Sequence, residues 1–221
     1  MPALSRRLAR LPVALAAAVL LGAAGPATSP VDVPEPEGLY AGPQHGYTPP
    51  TLRGAAVVDL AALDALLATG KSLATGKSLA TGESLATGEP VLLDVALADH
   101  KPAGFPSDRP WLPTHRSIPG AVWLPNAGAE PLTPSQEATF LARVADLTGG
   151  DKARAIVTFC HPDCWGSWNA GKRLVLAGYT GVHWFPSGIE GWQDAHDTAA
   201  VRRDPAWARV EGDAARADGE R

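Results

Sequence analysis

The two cysteines of the chain lie close together, Cys160 and Cys164, within the stretch Ala155–Leu174. A short apolar run typical of a buried strand precedes Cys160, and a segment with helical spacing starts at Ser167. A thiol between a strand and a helix N-terminus meets free backbone N–H groups and the positive end of the helix dipole, which favour the thiolate. Because the thiolate is the nucleophilic form, the sequence predicts thiol chemistry in this loop.

Three interpretations of the cysteine pair are open from the residues alone. Cys160 could accept sulfur as a persulfide, stabilised by backbone N–H groups of the loop. The pair could instead cycle between dithiol and disulfide, with Cys160 as the attacking thiol and Cys164 as the resolving one. A permanent disulfide would leave a binding module, although closing a loop of five residues stabilises a fold by only about 2 kcal/mol.

The polar loop and the first helical turn supply further candidate residues for contact with a substrate or a partner. They are His161, Asp163, Trp165, Gly166, Ser167 and Trp168. Two interpretations of Trp165 and Trp168 are open: their indoles pack as part of the core and rim, or they are exposed and stack on a planar ligand or on a partner protein. His161 and the two cysteines lack a convincing fourth ligand, so the sequence predicts no metal site, and it predicts no cofactor.

Strand and helix patterns alternate along the chain, which predicts a single α/β domain with a central parallel sheet and helices on both faces. Val91–Val95 is predicted to be a buried strand with Asp94 near its carboxyl end, and Asp94 and Arg116 are expected to support the site. Thr133–Gln136 is a capping box, which predicts a helix that ends at Gly149–Gly150.

The segments around this domain differ from it in composition. Residues 28–52 are rich in proline and are predicted to form a linker or an arm against a domain of residues 53–197. Four tandem hexapeptides of the LATGKS type fill residues 67–90 and are predicted to be a surface loop. Residues 198–221 contain mostly Ala, Arg, Asp and Gly, which predicts a disordered tail.

Residues 1–27 have the pattern of a secretory signal, with Arg6, Arg7 and Arg10 before an apolar run and small residues after it. We therefore expect a periplasmic or secreted protein with no membrane span after cleavage. Removal of the three arginines would change the net charge from −4 to −7. An acidic protein of this kind is not expected to bind nucleic acid.

The order of these features resembles a rhodanese-like domain over about Arg53–His196. Ile118–Ala121 matches the "HIPGA" stretch of that family, with Ser117 where histidine is usual. Cys160 occupies the position of the family's catalytic cysteine. The resemblance implies the rhodanese fold and a possible sulfurtransferase activity. Trp165 and the two residues after it replace the arginine–serine pair that ordinary rhodaneses carry before the helix.

A narrower resemblance is carried by the stretch CHPDCWGSWNAGKR, which starts at Cys160. It resembles the exported proteins called PQQ-dependent catabolism-associated CXXCW motif proteins, although this chain has three residues between its cysteines. Membership would imply an accessory role in PQQ-dependent alcohol catabolism, with a quinoprotein dehydrogenase or a cytochrome c as partner. The alternative is a non-enzymatic periplasmic binding module with a structural Cys160–Cys164 disulfide.

Overall fold

Short parallel strands form the central sheet of the domain. The computed structural model describes residues 31–74, 88–99, 101–106, 108–110 and 114–211, with backbone alone for 71–74. The strands are β1 (Ala56–Val57), β2 (Val91–Asp94), β3 (His115–Ser117), β4 (Val122–Trp123), β5 (Ile156–Phe159), β6 (Val182–Trp184) and β7 (Ala199–Val201). The helices are α1 (Leu60–Ala74), α2 (Pro134–Thr148), α3 (Trp165–Leu176) and α4 (Gly188–Gln193).

The strand order of the main sheet is β1-β6-β5-β2-β4, and every pairing in it is parallel. Helix α1 connects β1 to β2 and crosses the sheet toward the β4 edge. Helix α2 connects β4 to β5 and α3 connects β5 to β6, and both cross the sheet toward the β1 edge. Because such crossovers are right-handed, α1 lies on one face and α2 and α3 on the opposite face. The predicted α/β fold with helices around a parallel sheet is confirmed.

The two central strands are buried along their whole length, as expected for a parallel sheet covered on both faces. All four residues of β5 are fully buried, and β2 is buried throughout. The capping box of α2 is present, with Thr133 and Gln136 bonding each other's backbone, and Gly149 ends the helix at a φ of 64°. The carboxyl ends of β2 and β5 are thus held side by side.

Helix α1 is longer than the sequence predicted and enters the hexapeptide repeat. It continues to Ala74, so the expected surface loop is wrong for residues 67–74. Ala, Leu and Lys favour helix, and Gly70 allows close packing, because a Cβ there would lie 2.7 Å from the Cα of Glu89. Repeat residues 75–87 lie outside the described residues, as do residues 1–30 with the predicted signal.

The predicted disordered tail is wrong for residues 199–211, the segment that we call the C-terminal segment. β7 pairs antiparallel with β3, and a helical segment follows at residues 205–211. Trp207 is 1% exposed and its Nε1–H donates to the carbonyl oxygen of Pro125 at 2.7 Å. One buried indole therefore orders a stretch whose composition is typical of disorder. Residues 212–221 lie outside the described residues.

Residues 31–52, which we call the arm, lie against α3. Leu52 is 2% exposed and packs in a cluster with Trp165, Trp168 and Trp184. The structure thus places this proline-rich segment as an arm on the domain. Within the described part of the chain, no helix is long and apolar enough to cross a membrane.

Candidate active site

The cysteine loop, residues 160–164, connects the end of β5 to the start of α3. Cys160 follows the buried strand and is fully buried, whereas Cys164 is partly exposed. Cys164 is the N-cap residue of α3, and its sulfur is bonded to that of Cys160 in a disulfide with a Cα–Cα distance of 6.6 Å. The structure therefore places the two cysteines together, as the sequence predicted, with only one of them reachable from solvent.

The inner side of the loop is closed by the start of α4. The carbonyl oxygen of Cys160 accepts the N–H of Ile189 at 2.8 Å. Gly188 has a φ of 60°, and a Cβ on it would lie 2.4 Å from that carbonyl oxygen. Glycine is needed there for both its conformation and its small size. The result is a rigid wall behind Cys160, with no room for a ligand between α4 and the loop.

His161 and Asp163 lie on the solvent side of the loop. The Nδ1 atom of His161 is 2.8 Å from the carboxylate oxygen of Glu190, and about half of each side chain is exposed. Asp163 is exposed and has a φ of 51°, a conformation that aspartate tolerates in tight turns. Both residues can therefore meet a molecule that approaches Cys164.

The arm pairs with the cysteine loop through backbone hydrogen bonds. The N–H of Trp165 donates to the carbonyl oxygen of Gln44 at 2.8 Å, and the N–H of Gly46 donates to that of Asp163 at 2.9 Å. These bonds form an isolated antiparallel bridge between His45 and Cys164. No pattern in the sequence indicates this pairing, because backbone bonds between distant segments depend on the fold and not on side-chain pattern.

Trp165 and Trp168 are buried beneath the arm, so of the two interpretations packing is correct and exposure for stacking is wrong. The ring of Trp165 stacks on Tyr40 with centroids 3.9 Å apart. The Nε1–H of Trp168 donates to the carbonyl oxygen of Thr51 at 2.9 Å. The planar partner of the loop tryptophans is therefore a tyrosine of the same chain, and neither ring offers a face to a ligand.

Gly166 and Ser167 are also buried, and their contacts are internal. A Cβ on Gly166 would lie 2.7 Å from Oε1 of Gln44, so the glycine lets the arm approach the helix closely. Ser167 Oγ donates to the carbonyl oxygen of Cys164 at 3.2 Å and accepts the Nε1–H of Trp184 at 3.1 Å. Both residues shape the loop from inside instead of meeting a substrate.

Other polar residues of α3 hold the surrounding segments. Asn169 is 1% exposed; its Oδ1 accepts the N–H of Tyr40 at 2.8 Å, and its Nδ2–H₂ donates to the carbonyl oxygens of Tyr40 and Gly128. Lys172 is 5% exposed, with Nζ 3.5 Å from Glu35 and 5.6 Å from the centre of the Trp168 ring. These side chains fasten the arm, a role that the sequence reasoning missed.

Arg173 is the second buried cation of α3, next to Lys172. Its guanidinium donates to the carbonyl oxygens of Ala127 and Ala129 and to Glu130. Burial lowers the pKa of Arg173, while the charges of Glu130 and Glu137 act to raise it. The guanidinium is thus engaged with the turn after β4 and does not supply the missing anion-binding cation.

Asp94 and Arg116, predicted to support the site, serve the neighbouring segment. Asp94 is fully buried; its Oδ1 accepts the N–H of Ala96 at 2.8 Å, and its Oδ2 accepts Ser117 Oγ–H at 2.5 Å and lies 2.7 Å from His115 Nε2. The exposed Arg116 donates to Thr198. These bonds fix the chain beside the sheet end, and none of their partners belongs to the cysteine loop.

The electrostatics of the arm centre on Glu35. Burial acts to raise the pKa of Glu35, but hydrogen bonds from Thr51 and the Arg53 N–H, with the charges of Lys172 and Arg53, outweigh it and lower the pKa below the usual value. The carboxylate is therefore favoured in the docked arm. Within the described residues, no cluster of three or more His, Cys, Asp or Glu side chains is arranged to hold a metal ion.

Comparison with known proteins identifies the family. The family described as "Rhodanese-like domain" matches residues 82–195. A thiosulfate sulfurtransferase from Pseudomonas aeruginosa is similar in structure, with a TM-score of 0.38 and 18% identity over 68% of this chain. The match covers 21% of that protein, so this chain spans about a fifth of its length. No curated protein matches the sequence. Since the family match covers more than half of the chain, the protein belongs to the rhodanese-like domain family.

Proposed function

We propose that this protein carries out thiol/disulfide exchange at the Cys160–Cys164 pair. The observation that carries the proposal is the position of the disulfide, which joins the end of a buried strand to the N-cap of α3. In the reduced state a thiolate on Cys164 would face the free N–H groups of the first helical turn, which stabilise it. A stabilised thiolate makes the disulfide easier to reduce, as an exchange centre requires.

A disulfide with a purely structural role would add little to the stability of the fold at this position. The inner end of the loop is bonded to Ile189, and its outer end is bonded to Gln44 and Gly46. Helix α3 is held separately through Asn169 and Arg173. Because both ends are fixed by other contacts, a link of this length would add about 2 kcal/mol at most. A disulfide that served only to stabilise the fold would therefore contribute little here, which counts against the structural alternative.

Sulfur transfer is the second candidate, and membership of the rhodanese-like family favours it. Reduced Cys160 would attack the outer sulfur of an anionic donor such as thiosulfate, forming a persulfide and releasing sulfite. Two features count against it as the main activity. Cys160, which would have to attack the donor, is fully buried, and Arg173 is engaged elsewhere and does not hold an anion at the loop.

The cellular setting is part of the same proposal. The signal-like residues 1–27 support export to the periplasm, and the stretch from Cys160 to Arg173 supports membership of the CXXCW motif proteins associated with PQQ-dependent catabolism. The partner in the exchange would then be a quinoprotein dehydrogenase or a cytochrome c. Fusion of residues 1–27 to a periplasm-dependent reporter tests the export, and retention in the cytoplasm would contradict it.

Redox titration of the folded protein in glutathione buffers tests the exchange activity. Thiols are trapped by alkylation and counted by mass, and circular dichroism reports folding at each step. We expect the pair to be reduced without unfolding, at a potential well above about −300 mV. Alkylation only in denaturant would contradict exchange and leave the binding module. A gain of one sulfur on Cys160 after thiosulfate treatment of reduced protein would support sulfur transfer instead.

A further inference from the structure

The pairing between the arm and the cysteine loop has the geometry of an added β-strand. The two hydrogen bonds flank the pair His45 and Cys164 without joining them to each other. This is the non-hydrogen-bonded type of antiparallel pair, in which the two residues lie about 4.5 Å apart at Cα and point to the same face. A side chain at the position of His45 is therefore the direct cross-strand neighbour of Cys164.

Only Cys164 is available to an external thiol. Cys160 is fully buried behind it, whereas Cys164 is partly exposed. Thiol–disulfide exchange requires direct attack on one of the two sulfur atoms. An incoming thiolate must therefore attack Cys164, which reverses the roles expected from the sequence.

The tip of the arm is attached imperfectly to the loop. The Oε1 atom of Gln44 is buried against Gly166 and has no hydrogen-bond partner. By contrast, its Nε2–H₂ donates to Oδ1 of Asn126, and the Nδ1 atom of His45 lies 3.2 Å from the carbonyl oxygen of Asp163. Leaving a buried acceptor unpaired is unfavourable, which lowers the cost of replacing this part of the arm. The outer face of the strand at His45 is exposed. A competing strand could thus take the backbone bonds without disturbing the fixed arm residues near Leu52.

We propose that the arm occupies the place of the substrate, and that the substrate is an extended cysteine-containing segment of a polypeptide. This rests on the proposed exchange function and names its substrate class. The carbonyl oxygen of Asp163 and the N–H of Trp165 pair with the backbone on both sides of the aligned residue, and glutathione is too short to supply such an extended strand. A cysteine aligned with the position of His45 would lie within disulfide range of Cys164.

The reaction balances with a dithiol polypeptide as the reductant. Its aligned thiolate attacks the sulfur of Cys164, the Cys160–Cys164 bond breaks, and the electron pair leaves on Cys160, which takes a proton from water. The second thiolate of the substrate then attacks the sulfur of the substrate's first cysteine in the mixed disulfide. A disulfide forms within the substrate, and Cys164 is released as a thiolate. The substrate loses two electrons, and the cysteine pair gains them.

A cysteine placed in the arm tests the alignment in the full chain. In His45→Cys, the introduced thiol should displace Cys160 and link to Cys164, leaving Cys160 free for alkylation. Ala41→Cys is the matched control, since it adds a thiol to the same arm away from the bridge. Peptide mapping by mass should show at least about tenfold more linkage in His45→Cys. Equal linkage in both variants, or linkage to Cys160, would overturn the alignment.

Peptides test the substrate class directly. One peptide has the arm sequence of residues 40–48 with cysteine in place of His45, and its control has the cysteine in place of Ala41. The variant Gly46→Ala loosens the arm, because Gly46 has a φ of 146°, while Gly38→Ala is the control at an open position. In Gly46→Ala the aligned peptide should form the mixed disulfide about tenfold faster than the control peptide.

The outcomes separate this inference from the proposed function. If glutathione exchanges with the pair but the two peptides react at equal rates, strand recognition is wrong and the exchange function stands. If neither glutathione nor any peptide exchanges with the folded protein, both are wrong. A faster reaction of the aligned peptide in Gly46→Ala than in Gly38→Ala supports the arm as the occupant of the substrate position.

Discussion

The arm and the C-terminal segment both lie against the rhodanese-like domain, yet they are attached by different chemistry. The C-terminal segment inserts an indole, Trp207, that is 1% exposed, and Asp204 caps its helical turn while bonding Arg143 at 2.7 Å. Burial of a large apolar ring is a contribution that neither pH nor salt removes easily. This end of the chain is therefore a fixed part of the fold.

The most deeply buried apolar contact of the arm is at its root, where Leu52 joins the tryptophan cluster, and Val33 and Tyr40 pack only partly buried against the same cluster. Farther out it depends on Glu35, on the bonds of Tyr40 to Asn169, and on the backbone bonds of Gln44 and Gly46. Each such bond is worth about 1 kcal/mol net, because water competes for the same groups. The part of the arm that lies beside the disulfide is thus held by bonds that can be released at low cost.

Truncation of the apolar anchor should have the largest effect. We expect Trp207→Ala to lower the free energy of unfolding by about 3–5 kcal/mol, since it removes a buried ring and leaves a cavity. Trp207→Phe keeps most of the apolar contact and should cost less. Chemical denaturation followed by tryptophan fluorescence measures both. A loss below about 1 kcal/mol for the alanine variant would mean that the C-terminal segment is as loosely held as the arm.

Removal of a polar anchor of the arm should have an intermediate effect. Asn169→Ala leaves the N–H and carbonyl of Tyr40 without their partners, and we expect a loss of about 2 kcal/mol. Amides of residues 40–48 should exchange hydrogen faster, and glutathione should reduce the disulfide sooner. Leu176→Ala, at a side chain of the same helix that is 63% exposed, is the control. Unchanged amide exchange in Asn169→Ala would show that the arm is held elsewhere.

Local sequence patterns were sufficient for the elements that build the sheet. The apolar run before Cys160 and the capping box at Thr133 act within a few residues, so their structures follow from neighbouring side chains. The same locality placed both cysteines in one loop between strand and helix. In these parts of the chain, interactions between residues a few positions apart determine the secondary structure.

The remaining features depend on partners that are distant in sequence. The sequence left Trp165 and Trp168 open between packing and exposure because nothing near them in sequence covers them, and the cover is the arm, more than a hundred residues earlier. Trp207 was overlooked because the composition around it is typical of disorder. The burial of Cys160 against the start of α4 likewise requires the tertiary fold.

The smallest expected effect concerns acid, and it separates the arm from the C-terminal segment. The pKa of Glu35 is below its ordinary value of 4.5 in the docked arm. Its contribution is therefore complete above that ordinary value and is lost as the pH falls through the lowered pKa. Arg53, the outer partner of Glu35, is 70% exposed. We therefore expect an effect of about 1 kcal/mol or less, confined to the arm.

Hydrogen exchange of the Gly46 amide, measured from about pH 6 to about pH 3 and corrected for intrinsic rates, measures this loss of protection. In Glu35→Gln, protection should be lower at neutral pH and should change less on acidification, because the charge is absent throughout. Glu37→Gln, at an exposed carboxylate of the same arm, should behave as the unmodified protein. Equal acid dependence in the two variants would show that Glu35 does not hold the arm. Loss of protection at Trp207 over the same range would show that acid loosens both ends of the chain.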